Sequence, residues 1–153
     1  MANEYTVDRN IEFLEEIVGE VPEGCTTLRC NNKGLRSLRG IERLPQITTL
    51  DISYNQVQSL EFITGSNVTT LYISDNQVQS LEFIAGSNVT TLYISNNQVQ
   101  SLEFITGSNV TKLYISGNPC YNEFVELGES VEKAKEKYHD SLDVKGADWL
   151  MEE

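Results

Sequence analysis

Hydrophobic and polar positions repeat with a period of 21 residues along the middle of this chain. Residues 55–75, 76–96 and 97–117 are three nearly identical copies, each beginning NQVQSLEFI and containing SNVT and LYIS. A fixed period of about 20 to 50 residues is the signature of a solenoid, in which each copy forms one coil. One copy buries too few apolar side chains to offset the entropy of ordering it, so neighbouring coils must share a core.

Each copy predicts one short β-strand followed by an inward turn. Leu71 and Ile73 alternate with Thr70, Tyr72 and Ser74, which is the period of a strand with one buried face. An asparagine follows the strand where the chain must turn inward, and its side chain offers both a donor and an acceptor to unpaired backbone groups. Stacked copies therefore predict an internal asparagine ladder, formed by Asn55, Asn76, Asn97 and Asn118.

The pattern apolar-x-x-Leu-x-Ile-x-x-Asn-x-Val-x-x-Leu runs from Val68 to Leu81 and again from Val89 to Leu102. It resembles the leucine-rich repeat family, whose motif is L-x-x-L-x-L-x-x-N-x-L, and is most similar to its short SDS22-like and internalin-like class. The resemblance implies an α/β solenoid, an arc with a parallel β-sheet on the concave face and helical caps at both ends. It also implies a surface that binds other proteins without catalysis.

The segments that flank the copies are predicted to cap the solenoid. Residues 7–18 have the apolar spacing of a short amphipathic helix, and residues 122–142 that of a longer one. Trp149 in the tail either packs on the second helix or forms an exposed acidic-aromatic motif. We divide the chain into an N-terminal helical cap at 1–24, about five repeats of 21 to 22 residues at 25–118 with one strand each, and a C-terminal helical cap with an acidic tail at 119–153.

The composition limits the classes of partner. The net charge is −12, and an acidic chain is a poor nucleic-acid ligand because phosphate contacts need lysine and arginine. No stretch approaches 18 apolar residues and no signal sequence is visible, so we expect no membrane span and a cytoplasmic protein, with a secreted mature form left open. Cys25, Cys30 and Cys120 are predicted to be buried thiols in a reducing compartment.

Groups that could carry catalysis are sparse. The chain has one histidine, His139, and no C-x-x-C pair, so we expect no metal, no cofactor and no enzyme. Glu61, Glu82 and Glu103 recur every 21 residues and predict a row on the convex side rather than a catalytic pair. The sequons at Asn67, Asn88 and Asn109 are interpreted as turn chemistry, although a secreted protein could be glycosylated there.

The outward positions of the strands predict the recognition surface. Tyrosine rings separated by small hydrogen-bonding groups make adaptable binding faces, whereas the alternative is a tyrosine ladder that only stacks on itself. The three copies differ at three positions, two of which lie on this face. The predicted protein-binding residues are Asp51, Tyr54, Thr70, Tyr72, Ser74, Asp75, Thr91, Tyr93, Ser95, Asn96, Lys112, Tyr114 and Ser116.

A second surface competes with the first. Basic side chains concentrate in the first repeat, where they are either neutralised by the glutamates of the N-terminal segment or form a patch for an acidic partner. Its residues are Arg29, Arg36, Arg39 and Arg43. We expect a monomeric, non-catalytic protein-binding module that uses the concave face. The alternatives are a regulatory subunit docked on a catalytic partner such as a phosphatase, and a secreted or surface adhesin or effector.

Overall fold

The computed structural model of the chain describes residues 3–139. This part of the chain forms a six-stranded parallel sheet whose strands follow sequence order. Each strand is three residues long and pairs with the next in register, so that Leu28, Leu50, Leu71, Leu92 and Leu113 lie side by side. The strands are β1 (Glu4–Thr6), β2 (Thr27–Arg29), β3 (Thr49–Asp51), β4 (Thr70–Tyr72), β5 (Thr91–Tyr93) and β6 (Lys112–Tyr114).

The return segments complete each coil on the other side of one continuous core. Most contain a short 3₁₀ helix, at Leu14–Ile17, Ile41–Arg43, Glu61–Gly65 and Glu103–Gly107. The aliphatic residues of the repeat pattern are almost fully buried, as at Val78, Leu81 and Ile84. The sheet order and the shared core confirm the α/β solenoid, in which strands and return segments alternate around the core.

The N-terminal segment differs from its prediction. Residues 7–18 do not form an α-helix, because the chain before Cys25 forms another coil: β1 pairs with β2, and Leu14–Ile17 is a 3₁₀ helix. Val7, Leu14 and Ile17 are buried in the same core as the repeats. The sheet therefore has six strands over the described residues, where five were predicted.

The C-terminal segment is helical but interrupted. Helix α1 spans Tyr121–Glu126 with Cys120 at its N-cap, and helix α2 covers residues 131–139 of the described chain. The predicted single helix is broken because Gly128 and Glu129 both take left-handed backbone conformations. Phe124 and Ala134 are buried against the last coil. The end of the predicted helix and the tail with Trp149 lie outside the described residues, and the predicted cap boundaries stay predictions.

Candidate functional site

The sheet register brings the predicted tyrosines into one row. Tyr72 pairs with Tyr93, and Tyr93 with Tyr114, as direct neighbours on adjacent strands. The ring centroids of Tyr72 and Tyr93 are 4.3 Å apart with 5° between the planes, and those of Tyr93 and Tyr114 are 4.5 Å apart with 2° between the planes. The three rings therefore form a continuous wall on the face of the sheet that points away from the core.

Exposure of the rings increases toward the C-terminal end of the sheet. Tyr72 and Tyr93 are half-buried by their neighbours, whereas Tyr114 is 49% exposed. Small hydroxyl side chains flank the rings: Thr70 and Thr91 lie in register on one side, and the Oγ of Ser116 donates to the Oγ of Ser95 at 3.1 Å on the other. Ser74 is half-buried in the same row as these serines. The face thus combines flat aromatic area with small hydrogen-bonding groups.

Asp51 closes the other end of this row. It lies beside Tyr72 in the register, but its carboxylate is buried and accepts hydrogen bonds from the Arg29 guanidinium at 3.3 Å and the Asn31 amide at 3.1 Å. Arg29 also pairs with Glu4 at 3.0 Å. Asp51 was predicted as a contact residue. Its hydrogen-bonding capacity is instead largely used within the protein, which leaves the tyrosines as the open part of the row.

The third residue after each of strands β2 to β6 has a left-handed backbone. The φ angles are 52° at Asn32, 58° at Asp75, 57° at Asn96 and 73° at Gly117. Asparagine, aspartate and glycine tolerate this conformation, so the variation among the last three positions is explained by the turn as well as by binding. Tyr54 occupies the same position with φ at 60° and is 61% exposed. An aromatic residue is unfavourable there, which singles out Tyr54 within the predicted face.

The asparagine ladder links each coil to the one before it. The Oδ1 of Asn97 accepts the Val78 N–H at 2.9 Å, and its Nδ2 donates to the Ile73 carbonyl of the preceding coil at 2.9 Å. The same Nδ2 also contacts the carbonyl oxygens of Ile94 and Ser95. Asn55, Asn76 and Asn118 are equally buried and use both ends of their amides in the corresponding way.

A second row of asparagines joins the coils at the opposite turn. The side-chain amide of Asn67 donates to the Pro45 carbonyl, that of Asn88 to the Ser66 carbonyl and that of Asn109 to the Ser87 carbonyl, at 2.9 to 3.1 Å. These are the sequon asparagines. Their Nδ2 atoms, which a glycan would have to modify, hold neighbouring coils together in the folded protein.

The four arginines of the basic cluster lie on different elements. Arg29 is on β2 and pairs with Glu4 and Asp51, while Arg39 pairs with Glu15 at 3.1 Å. Arg36 is exposed in the return segment beside Gln56 and Gln58, and Arg43 is exposed at the end of its 3₁₀ helix. Half of the cluster is thus neutralised by acidic side chains, which reduces its field toward an acidic partner.

The thiols lie in the core. Cys30 and Cys120 are buried free thiols, and Cys25 is buried in the same hydrophobic cluster. Burial raises the pKa of Cys30 to about 12 and that of Cys120 to about 11, because the thiolate loses its hydration. Within residues 3–139 no group of three or more His, Cys, Asp or Glu side chains is arranged to hold a metal ion. None of the helices in that range is long and apolar enough to cross a membrane.

Comparison with known proteins identifies the repeat. Residues 66–107 match the family model described as leucine rich repeats in two copies. None of the curated protein sequences compared with the chain is significantly similar to it.

Solved structures of Listeria monocytogenes proteins share the fold. An internalin, InlF, is 24% identical with a TM-score of 0.60 over 71% of this chain and 33% of its own. Internalin C2 is 21% identical with a TM-score of 0.62 over 71% of this chain and 49% of its own. The functional domain of InlJ, which includes a cysteine ladder, is 17% identical with a TM-score of 0.51 over 75% of this chain and 30% of its own.

The chain spans a third to a half of these internalin structures, so what they share with it is the fold. The match over residues 66–107 and the stacked parallel coils with their buried asparagines point to the same conclusion. This chain contains leucine-rich repeats.

Proposed function

We propose that this protein is a non-catalytic protein-binding module that holds its partner on the concave face of the sheet, with Tyr93 at the centre of the contact. The observation that carries the proposal is the tyrosine wall, three parallel rings held at 4.3 and 4.5 Å on an open face. Rings that are already stacked lose little conformational entropy on binding, and tyrosine is enriched at the centres of protein interfaces.

The groups around the wall support a protein partner. Threonine and serine hydroxyls line both sides of the rings. Asp75 and Asn96 lie in the left-handed turns that follow β4 and β5, and Lys112 lies on β6. Lys112 and Asn96 are exposed at the polar edge of a contact, where Lys112 can donate hydrogen bonds and Asn96 can both donate and accept them. Free thiols at Cys30 and Cys120 agree with a reducing compartment, which supports the proposal of a cytoplasmic protein. We also propose that the protein is a monomer.

Site-specific photo-cross-linking tests this proposal. A benzophenone amino acid replaces Tyr114 on the concave face in one variant and Gln79 on the return segments in a matched control, because both side chains are exposed. Cells of the source organism expressing each variant are irradiated, and adducts are identified by mass spectrometry. We expect a specific protein adduct at position 114 that is absent at position 79. Adducts formed only at position 79 would place the partner on the outside of the arc.

The identity of the adduct distinguishes the finer possibilities. A catalytic subunit such as a phosphatase would make this chain a regulatory subunit. A receptor on another cell would make it a surface adhesin or effector. Both require the concave face, so the cross-linking experiment applies to each of them.

A further inference from the structure

Every coil except the last gives backbone hydrogen bonds to the strand that follows it. The N–H groups of Ile52, Ile73 and Ile94 donate to the carbonyls of the next coil's tyrosine row at 2.8 Å. The N–H groups of Tyr54, Asp75 and Asn96, in the left-handed turn, donate to the next coil's serines at 2.8 to 3.0 Å. In return, the carbonyls of Thr26, Thr48, Thr69 and Thr90 accept an N–H from the next coil at 2.8 Å.

In the last coil, which contains β6, the three equivalent backbone groups have no partner. Within residues 3–139, no group bonds the N–H of Ile115, the N–H of Gly117 or the carbonyl of Thr111 from the outer side of the strand. No backbone group of helix α1, or of the described part of helix α2, bonds to these three groups. Unpaired strand edges are ready templates for another extended chain, and peptide recognition by strand addition uses such edges.

A cleft runs along this edge. Its volume is about 460 Å³, and it lies between residues 111–116 on one side and Tyr121, Phe124 and Val131 of the helical segment on the other. Glu129 also lines the cleft, and its carboxylate accepts the hydroxyl of Tyr121 at 2.5 Å. The edge is therefore bordered by a polar strand backbone and an apolar helical wall, which suits an extended peptide with alternating side chains.

The side chains of β6 indicate what an added strand would carry. Tyr114 stacks on Tyr93 with one face, and no other ring of the described chain covers the second face. Leu113 is 8% exposed, whereas Leu71 and Leu92 in the same row are fully buried. Lys112 is exposed and forms no ion pair within the described residues, at the one strand position where the copies change from threonine to lysine.

We propose that β6 takes up an extended segment of a partner protein as a seventh parallel strand. The segment carries an acidic, an aliphatic and an aromatic residue in succession, opposite Lys112, Leu113 and Tyr114. Its backbone bonds Thr111, Ile115 and Gly117 as the next coil of a longer solenoid would. The acidic residue pairs with Lys112 and the aromatic ring extends the tyrosine wall, since directly opposed residues on neighbouring strands interact. This site shares Lys112 and Tyr114 with the predicted concave face, but it is tested by the edge amides of Ile115 and Gly117, which the proposed contact at Tyr93 does not involve.

A synthetic peptide with the sequence NVTELYISN, the repeat strand with an acidic residue opposite Lys112, is the probe. Its affinity for the full-length protein is measured by calorimetry, and the protected amides are located by hydrogen exchange. At ten times the Kd of the peptide, exchange at Ile115 and Gly117 should slow about tenfold. N-methylation of the peptide's threonine, whose N–H would donate to the Thr111 carbonyl, should abolish binding.

Charge reversal provides the matched control. The peptide NVTKLYISN should bind wild type about fivefold more weakly than the acidic peptide, and Lys112→Glu should reverse this preference. Gln79→Ala, an exposed position on the return segments, should leave the peptide affinity unchanged. Amides of Ile115 and Gly117 that are already protected in the protein alone would overturn the proposal. So would equal affinity for a scrambled peptide, protection located elsewhere, or no binding at millimolar concentration.

Discussion

Tyr72 and Tyr93, 21 positions apart in sequence, stack with their ring centroids 4.3 Å apart and their planes within 5°. Parallel neighbouring strands lie about 4.8 Å apart, so identical side chains in register are brought to stacking distance by the sheet itself. Because each copy of the repeat contributes one tyrosine at the same position, the three copies form an ordered aromatic wall. The wall is already ordered without a partner, so the proposed recognition by the concave face would require little reorganisation.

The asparagine ladder makes a first prediction. Asn97→Ala removes four hydrogen bonds, three of them buried, and leaves the Val78 N–H and the Ile73 carbonyl without these partners, so we expect a loss of about 1 to 3 kcal/mol in the free energy of unfolding. Asn118 has the same set of bonds and the same burial, so Asn118→Ala should lose a similar amount. Urea melts measure both, with the exposed Gln98→Ala as control. Losses equal to that of the control would contradict a structural ladder.

Tyr54 makes a second prediction with the opposite sign. Its φ of 60° is unfavourable for tyrosine and suited to asparagine, so Tyr54→Asn should stabilise the fold by about 1 kcal/mol. The matched change Asn96→Tyr, at the equivalent turn with φ 57°, should destabilise it by a similar amount. If Tyr54 contacts the partner, the stabilised variant should also bind more weakly. A Tyr54→Asn protein that melts earlier than wild type would show that the tyrosine ring stabilises its own coil.

The buried thiols make a prediction about pH. The folded pKa values of Cys30 and Cys120, about 12 and about 11, lie above the ordinary value near 8.5. The unfolded chain therefore releases these protons first, and stability that is complete below about pH 8.5 falls as the pH rises toward 11. Each thiol contributes a slope of up to about 1.4 kcal/mol per pH unit. Urea midpoints across this range measure it, and Cys30→Val should reduce the slope. An unchanged slope in that variant would count against this burial.

The basic cluster is the alternative binding site, and charge reversal there distinguishes it from the concave face. Arg36 and Arg39 are exposed, and Arg36 forms no ion pair within the described residues. If the concave face is the site, Arg36→Glu and Arg39→Glu should each change partner affinity less than threefold, and affinity should depend weakly on salt. Loss of binding in both variants, with a steep salt dependence in wild type, would transfer the site to this cluster.

Much of the fold follows from the sequence because the repeat leaves little freedom. The 21-residue period sets the sheet register, and the register then fixes which residues share a row, such as Thr70 with Thr91 and Lys112. The N-terminal coil was missed because Ile11, Leu14 and Val18 also fit helical spacing. The signal that could have revealed it is Tyr5-x-Val7 followed by Leu14-x-x-Ile17, the repeat pattern shortened by one residue.

The candidate face is less predictable from sequence, because exposure and pairing depend on neighbouring coils. The ion pair of Asp51 with Arg29 joins residues of different repeats and has no local pattern. The left-handed turn could have been recognised from the asparagine, aspartate and glycine at positions 32, 75, 96 and 117, but Tyr54 obscures that series. The break of the C-terminal helix depends on a left-handed backbone conformation at Glu129, which is not expected for a glutamate.

The free energy of unfolding of the tyrosine variants must be known before their affinities are compared. Tyr93 is stacked on both faces, so Tyr93→Ala should lose about 1 to 2 kcal/mol of stability. Tyr93→Phe keeps the stack and removes only the hydroxyl, so it should lose less. Circular dichroism melts establish the temperature at which each variant is fully folded.

The affinity of the purified cross-linked partner for Tyr93→Ala, measured by calorimetry at such a temperature, tests the central claim most directly. We predict that Kd rises at least about thirtyfold, equivalent to about 2 kcal/mol at the centre of an interface. The matched changes Gln79→Ala and Glu82→Ala on the return segments should alter Kd less than twofold. Wild-type affinity in Tyr93→Ala together with lost binding in Gln79→Ala or Glu82→Ala would contradict recognition by the concave face.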